Sequence, residues 1–85
     1  MNYRIEFTKQ AAKLFKKLSS QDRQRLKPKI DALAQNPRPS GVVKLSGEDD
    51  LYRIRVGDYR IIYSIENNRL LVLIVKIGHR KDVYR

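Results

Sequence analysis

Cysteine and tryptophan are absent from this chain of 85 residues, and histidine occurs once, at His79. Without cysteine there is no disulfide framework and no thiolate metal site, two devices by which short chains compensate for a thin core. There is also no glycine-rich phosphate loop, no His or Cys spacing of a zinc enzyme, and no nucleophile elbow. The longest apolar run, Leu70 to Val75, is far shorter than the ~20 residues a membrane-spanning helix requires. The N-terminal MNYRIEFTKQ lacks the apolar core of a signal peptide. These absences predict one soluble domain spanning 1–85, with no membrane association.

Acidic residues are scarce as well. Nine Asp and Glu stand against nineteen Lys and Arg, giving a formal charge of +10. A field of that strength on so small a body draws polyanions toward it, nucleic acid foremost. Simple solubility is the plainer explanation, but an excess this large goes beyond it.

The segment Asn36-Pro37-Arg38-Pro39-Ser40-Gly41 is the one clear breaker cluster. Before it the periodicity is helical, and after it the pattern is that of strands. Asn2 to Phe7 alternate, with Tyr3, Ile5 and Phe7 on one side, which predicts a short strand. Thr8 is placed to cap a helix whose apolar stripe is Ala11, Leu14, Phe15 and Leu18. Lys9, Lys13, Lys16 and Lys17 cover its outer surface. Ser19 and Ser20 can cap a second helix with a stripe of Leu26, Ile30, Leu33 and Ala34. Pro28 falls inside it and predicts a bend.

The second half reads as an antiparallel meander: a short strand at 42–45, then strands at 51–56, 59–65 and 70–77. Gly57-Asp58 suits a type II′ hairpin, and Asn67-Asn68 a type I′ turn. The last strand is apolar on both faces, as a central strand should be, and the first strand could pair beside it. The expected class is therefore α+β. An N-terminal strand is followed by two helices packed on one face of a mostly antiparallel sheet of four or five strands.

On that sheet, alternation places Arg53 and Arg55 opposite Tyr52, Ile54 and Val56. Arg60 faces away from Tyr59, Ile61 and Tyr63. The tight hairpin brings Arg53, Arg55 and Arg60 together on the face turned from the helices. Neighbouring guanidinium groups repel one another unless an anion sits among them, and arginine binds phosphate through two oxygens at once. Solvation of an exposed face is the plainer explanation for each arginine alone, and clustering weakens it. The tail Gly78-His79-Arg80-Lys81-Asp82-Val83-Tyr84-Arg85 adds a second basic cluster. There His79 can exchange a proton near neutral pH, and Tyr84 can stack on a base. A frayed tail would serve neither purpose. The acidic run Glu48-Asp49-Asp50 is read as a solvated loop rather than a metal site.

The stretches LYRIRVGDYRIIYSI and LLVLIVKIGHRKDVYR, with KLSG upstream, resemble the RelE branch of the RelE/ParE toxin superfamily over essentially the whole chain. The resemblance implies a RelE-like microbial RNase fold and a prokaryotic, cytoplasmic toxin of a type II toxin–antitoxin system. It implies a ribosome-dependent endoribonuclease that cuts mRNA in the ribosomal A site by attack of the substrate's own 2′-hydroxyl, with no metal and no cofactor. It also implies neutralisation by a RelB-like antitoxin, contact with 16S rRNA, and operator DNA bound only through the antitoxin complex. The family's site residues fall here on Arg53, Arg55, Arg60, Arg80 and Tyr84. His79 is added as candidate acid or base, and Lys44, Lys81 and Arg85 as RNA contacts. One departure is clear: well-known members carry lysines where this chain has Arg53 and Arg55. Arginine does not give up its proton, so the general base is left open, and catalysis by orientation and charge alone is the other possibility. Two rivals are a ParE-like inhibitor of DNA gyrase and a non-catalytic RNA- or ribosome-binding module.

Overall fold

The computed structural model describes residues 2–45 and 50–79. Strand β1 (Arg4–Phe7) leads through Thr8 into helix α1 (Lys9–Lys17), which is followed by helix α2 (Ser20–Ala32). Strands β2 (Val43–Lys44), β3 (Leu51–Val56), β4 (Tyr59–Glu66) and β5 (Leu71–His79) complete a five-stranded sheet in the order β1-β5-β4-β3-β2. β1 runs parallel to β5, and the other three pairings are antiparallel.

The helix starts follow from their hydroxyl caps. Thr8 Oγ1 accepts from the Ala11 amide at 3.1 Å, and Ser19 Oγ accepts from the Asp22 amide at 3.1 Å. Each satisfies an N–H that the first helical turn leaves without a partner. The Thr8 hydroxyl also donates to the Val75 carbonyl at 3.2 Å, tying the start of α1 to β5. α2 passes through Pro28 as one continuous element. Its buried side holds Leu26, Ile30 and Leu33, all at most 1% exposed.

Both helices lie on one sheet face. Ala11, Leu26, Ile30 and Leu33 pack with Ile54, Ile61, Tyr63, Ile65, Val72, Ile74 and Ile77. Leu14 departs from the expected α1 stripe: at 36% exposure it sits at the margin, beside Val75, Lys76 and Ile77.

Of the two turns expected in the meander, one is as expected and the other is revised. The Gly57–Asp58 turn has φ +61 at Gly57 and no positive φ at Asp58, the type II′ pattern. Asn67–Asn68, however, is not a type I′ turn. A 3-10 turn covers Asn67–Arg69, and Leu70 takes the left-handed conformation at φ 49. Tertiary bonds hold that geometry in place: the Arg4 amide donates to the Leu70 carbonyl at 2.7 Å, and the Tyr3 hydroxyl donates to Asn67 Oδ1 at 2.8 Å. β1 must dock alongside β5, and this docking outweighs the local preference of asparagine for positive φ.

The register also shifts in β5. Ile62 pairs with Lys76, but Tyr63 pairs with Ile74, leaving Val75 as a bulge. The extra residue allows Ile74 and Ile77, three positions apart, both to face the core.

Candidate active site

The hairpin of β3 and β4 determines where the arginines lie. Its two-residue turn makes Val56 and Tyr59 the hydrogen-bonded closing pair. The next pair, Arg55 and Arg60, is therefore of the non-hydrogen-bonded kind, with Cα atoms about 4.5 Å apart and side chains at their closest. Arg53 stands one step along the same face, opposite Ile62. Ile54 and Ile61, which pair between these positions, both point into the core. Arg53, Arg55 and Arg60 thus share the face turned from the helices, in agreement with the sequence pattern. They differ in exposure: Arg55 is exposed, Arg53 half-buried, and Arg60 only 4% exposed.

A fourth cation joins them. Lys76 pairs with Ile62 on the far side of β4, and Gly78 pairs with Arg60. Lys76 therefore lies on the arginine face. The sequence reading missed it because unbroken alternation would put Ile74 on the same face, and the Val75 bulge separates the two. The three-residue spacing of Ile74 and Ile77 was the available signal.

His79 takes a different place from the one expected. It pairs with Tyr59, whose face is that of Ile61 and the core. The His79 and Tyr59 rings meet edge-on at 5.5 Å between centroids, and the Tyr59 hydroxyl donates to Asp22 Oδ2 of α2 at 2.8 Å. Strand alternation thus turns His79 toward the helices and away from Arg60, and the structure does not bring it to the arginine cluster. Lys44 likewise pairs with Tyr52 rather than with an arginine, and its ammonium lies 3.7 Å from Asp50 Oδ1. Arg80, Lys81, Tyr84 and Arg85 lie outside the described residues, as do Glu48 and Asp49.

The other end of β3 is bounded by the proline-rich loop. The Tyr63 hydroxyl donates to the Pro37 carbonyl at 2.7 Å, and burial pushes its pKa up to about 12. The Arg38 guanidinium lies over the Tyr52 ring, 5.3 Å from its centroid, and Tyr52 stacks on Tyr63 at 5.9 Å. Interaction with the Tyr52 side chain raises the Arg38 pKa further above its ordinary value. These contacts fasten the loop. A cavity of about 360 Å³ then lies between the loop and β3, lined by Ser40, Gly41, Val43, Arg53, Ile54 and Arg55.

A face carrying Arg53, Arg55, Arg60 and Lys76 can hold a phosphodiester and the charge that builds on it during cleavage. Among the described residues no group of three or more His, Cys, Asp or Glu is arranged to hold a metal ion, and no helix is long and apolar enough to cross a membrane.

Comparison with known proteins places this geometry in a family. Residues 5–84 match the family of ParE toxins of the parDE type II toxin–antitoxin system. The mRNA interferase toxin RelE of Escherichia coli is 32% identical, with 99% of this chain and 92% of that protein aligned. Two solved structures share the fold. The archaeal RelE–RelB complex from Pyrococcus horikoshii superimposes at a TM-score of 0.83 with 36% identity, covering 96% of this chain and 99% of the other. The intact RelBE complex of Escherichia coli gives 0.80 with 30% identity, covering 91% and 95%. The chain belongs to the RelE/ParE family of type II toxin–antitoxin toxins, and these relatives are RelE toxins.

Proposed function

We propose that this protein is the toxin of a type II toxin–antitoxin pair and a ribosome-dependent endoribonuclease that cleaves mRNA in the ribosomal A site. The observation that carries the reading is the direct opposition of Arg55 and Arg60, with Arg53 and Lys76 beside them on one sheet face. Like charges so placed destabilise an empty sheet and stabilise one that holds a phosphate.

In the proposed reaction the 2′-oxygen of the substrate attacks the adjacent phosphorus and the 5′-oxygen of the next nucleotide leaves. The products are a 2′,3′-cyclic phosphate and a 5′-hydroxyl end. Negative charge grows on the non-bridging oxygens, and the fixed guanidinium groups stabilise it as it forms. With arginines at 53 and 55 and His79 turned toward the helices, charge and alignment carry the greater part of the acceleration on this face. Arg80 and Tyr84 complete the proposed site from the tail, and Lys44, Lys81 and Arg85 contact RNA.

The proposed partner is a RelB-like antitoxin. Relatives with this fold have been crystallised with RelB, and a chain of +10 charge offers an acidic segment favourable contact. RelE relatives favour RNA cleavage over the inhibition of DNA gyrase. The test adds purified protein to ribosomes carrying a defined mRNA and maps cuts by primer extension, with Arg55→Ala, Arg80→Ala and ribosome-free controls. Cuts confined to the A-site codon and lost in both variants support the reading. Intact mRNA with well-folded protein overturns it, and a supercoiling assay then tests the gyrase alternative.

A further inference from the structure

The cavity beside the arginines has a polar floor that the phosphate reading does not use. Main-chain hydrogen-bonding groups point alternately to the two edges of a strand. Val56 directs its groups toward Tyr59 of β4, so Arg55 directs its N–H and C=O toward the β2 edge. β2 is too short to meet them. Val43 pairs with Arg53 and the Leu45 amide donates to the Leu51 carbonyl, so the next partner in sequence would be Gly41, opposite Arg55. The chain turns off before that point. The Val42 amide donates back to the Pro39 carbonyl at 3.1 Å, and Gly41 sits at φ +87, a type II turn with glycine at its third position. The turn opens the edge of β3 for one residue, and the cavity occupies the opening.

We propose that this cavity is a nucleobase subsite, taking the base of a nucleotide adjacent to the phosphate held by Arg53 and Arg55; it rests on the reading of those arginines as phosphate ligands. The walls match the chemistry of a base. The side chain of Val43, 43% exposed, offers an apolar surface, and the guanidinium planes of Arg53 and Arg55 offer stacking surfaces. The Arg55 main chain presents one donor and one acceptor side by side, and the Ser40 hydroxyl adds a group that can act as either. Such a set reads the hydrogen-bonding edge of an unstacked base. An added peptide strand suits the opening less well. Strand addition uses a row of alternating residues, and here a single residue is open, between the pair held by β2 and the hairpin turn. The two arginines lining the cavity also favour a polyanion.

The loop is held firmly enough to discriminate. Tyr63 fixes Pro37, and Arg38 stacks on Tyr52, both just upstream of Ser40. The base preference of the toxin thus resides in Ser40, Gly41 and Val43 as well as in the arginine face.

The test is an NMR titration of the full ¹⁵N-labelled chain with the four ribonucleoside 3′-monophosphates, and with ribose 5-phosphate and inorganic phosphate as probes lacking the base. Inorganic phosphate should shift the side-chain resonances of Arg53 and Arg55. The nucleotides should also shift the amides of Ser40, Gly41 and Arg55, with affinities that differ among the bases. Val43→Trp, which fills the cavity from an exposed position, should abolish the base-dependent shifts and keep those of phosphate. Ser40→Ala, which cannot obstruct folding, should narrow the differences among the bases by about tenfold, the loss of one hydrogen bond. Nucleotides indistinguishable from ribose 5-phosphate would overturn the subsite. So would amides that respond only to an antitoxin peptide, which would mark a protein contact instead. Failure of the phosphate reading shows separately, as silence of the two arginine side chains toward inorganic phosphate.

Discussion

Arg55 and Arg60 face each other across a non-hydrogen-bonded pair, an arrangement that trades stability against readiness to bind an anion. Replacing Arg55 by Thr removes one of the two charges and places a β-branched residue in a strand. The expected outcome is a gain of about 0.2–1 kcal/mol in stability by urea titration, together with a fall in ribosome-dependent cleavage of about 10²–10³-fold. A stability loss with cleavage intact would contradict both halves of that expectation. Tyr63 provides a pH prediction. Burial raises its pKa from the ordinary 10.0 to about 12, so the folded chain favours the neutral phenol. That contribution is complete below pH 10 and is lost as pH rises from 10 toward 12, because the unfolded chain ionises first. Between these limits the wild type should lose stability more steeply than Tyr63→Phe, as thermal melts at stepped pH would reveal. At neutral pH, Tyr63→Phe should cost about 1–3 kcal/mol, since the buried Pro37 carbonyl loses its donor.

Among the elements, α2 carries its proline at an exposed position in the middle of its 13 residues. Pro28→Ala restores an amide donor and removes a ring clash, so it should stabilise the fold by roughly 1–3 kcal/mol. For a chain of this size that corresponds to a rise in Tm of several degrees by calorimetry. Thr8 has the opposite outlook. It caps α1 and donates to β5, so Thr8→Ala should cost about 1–2 kcal/mol, toward the upper end for a cap. The helices, the hairpin and the central strand were legible because each rests on local signals: hydroxyl caps, a Gly-Asp turn, periods of 3.6 and 2. The turn at 67–70 was not, because the docking of β1 beside β5, a contact between the two ends of the described chain, holds it; nor was the Val75 bulge, which lies in the pairing of β5 with β4. The bulge hid Lys76, and the extension of β5 to its full length placed His79 on the helix side.

For the molecule as a whole, net charge is the leading property. Each phosphate contact made by single-stranded RNA should contribute about −0.7 to the slope of log affinity against log salt. Arg53→Ala and Arg55→Ala should each lower that slope by about that amount, measured by fluorescence anisotropy with an RNA whose attacking 2′-hydroxyl is replaced by hydrogen. A slope that does not change would place both arginines outside the phosphate contacts. Antitoxin binding should raise the melting temperature in a concentration-dependent way, as any ligand of the folded state does.

The sequence alone determined the class of the fold, the sign and strength of the field, and the grouping of Arg53, Arg55 and Arg60. These depend on composition and on periodicities that repeat within a few residues. Tertiary structure decided the rest. It buried Arg60, turned His79 toward Tyr59, added Lys76 to the arginine face, and opened the edge of β3 beside Ser40 and Gly41. Each of these depends on which strand lies beside which and on where a pairing stops. That is settled by packing between segments distant in the chain, and a single stretch of residues carries no local signal of it.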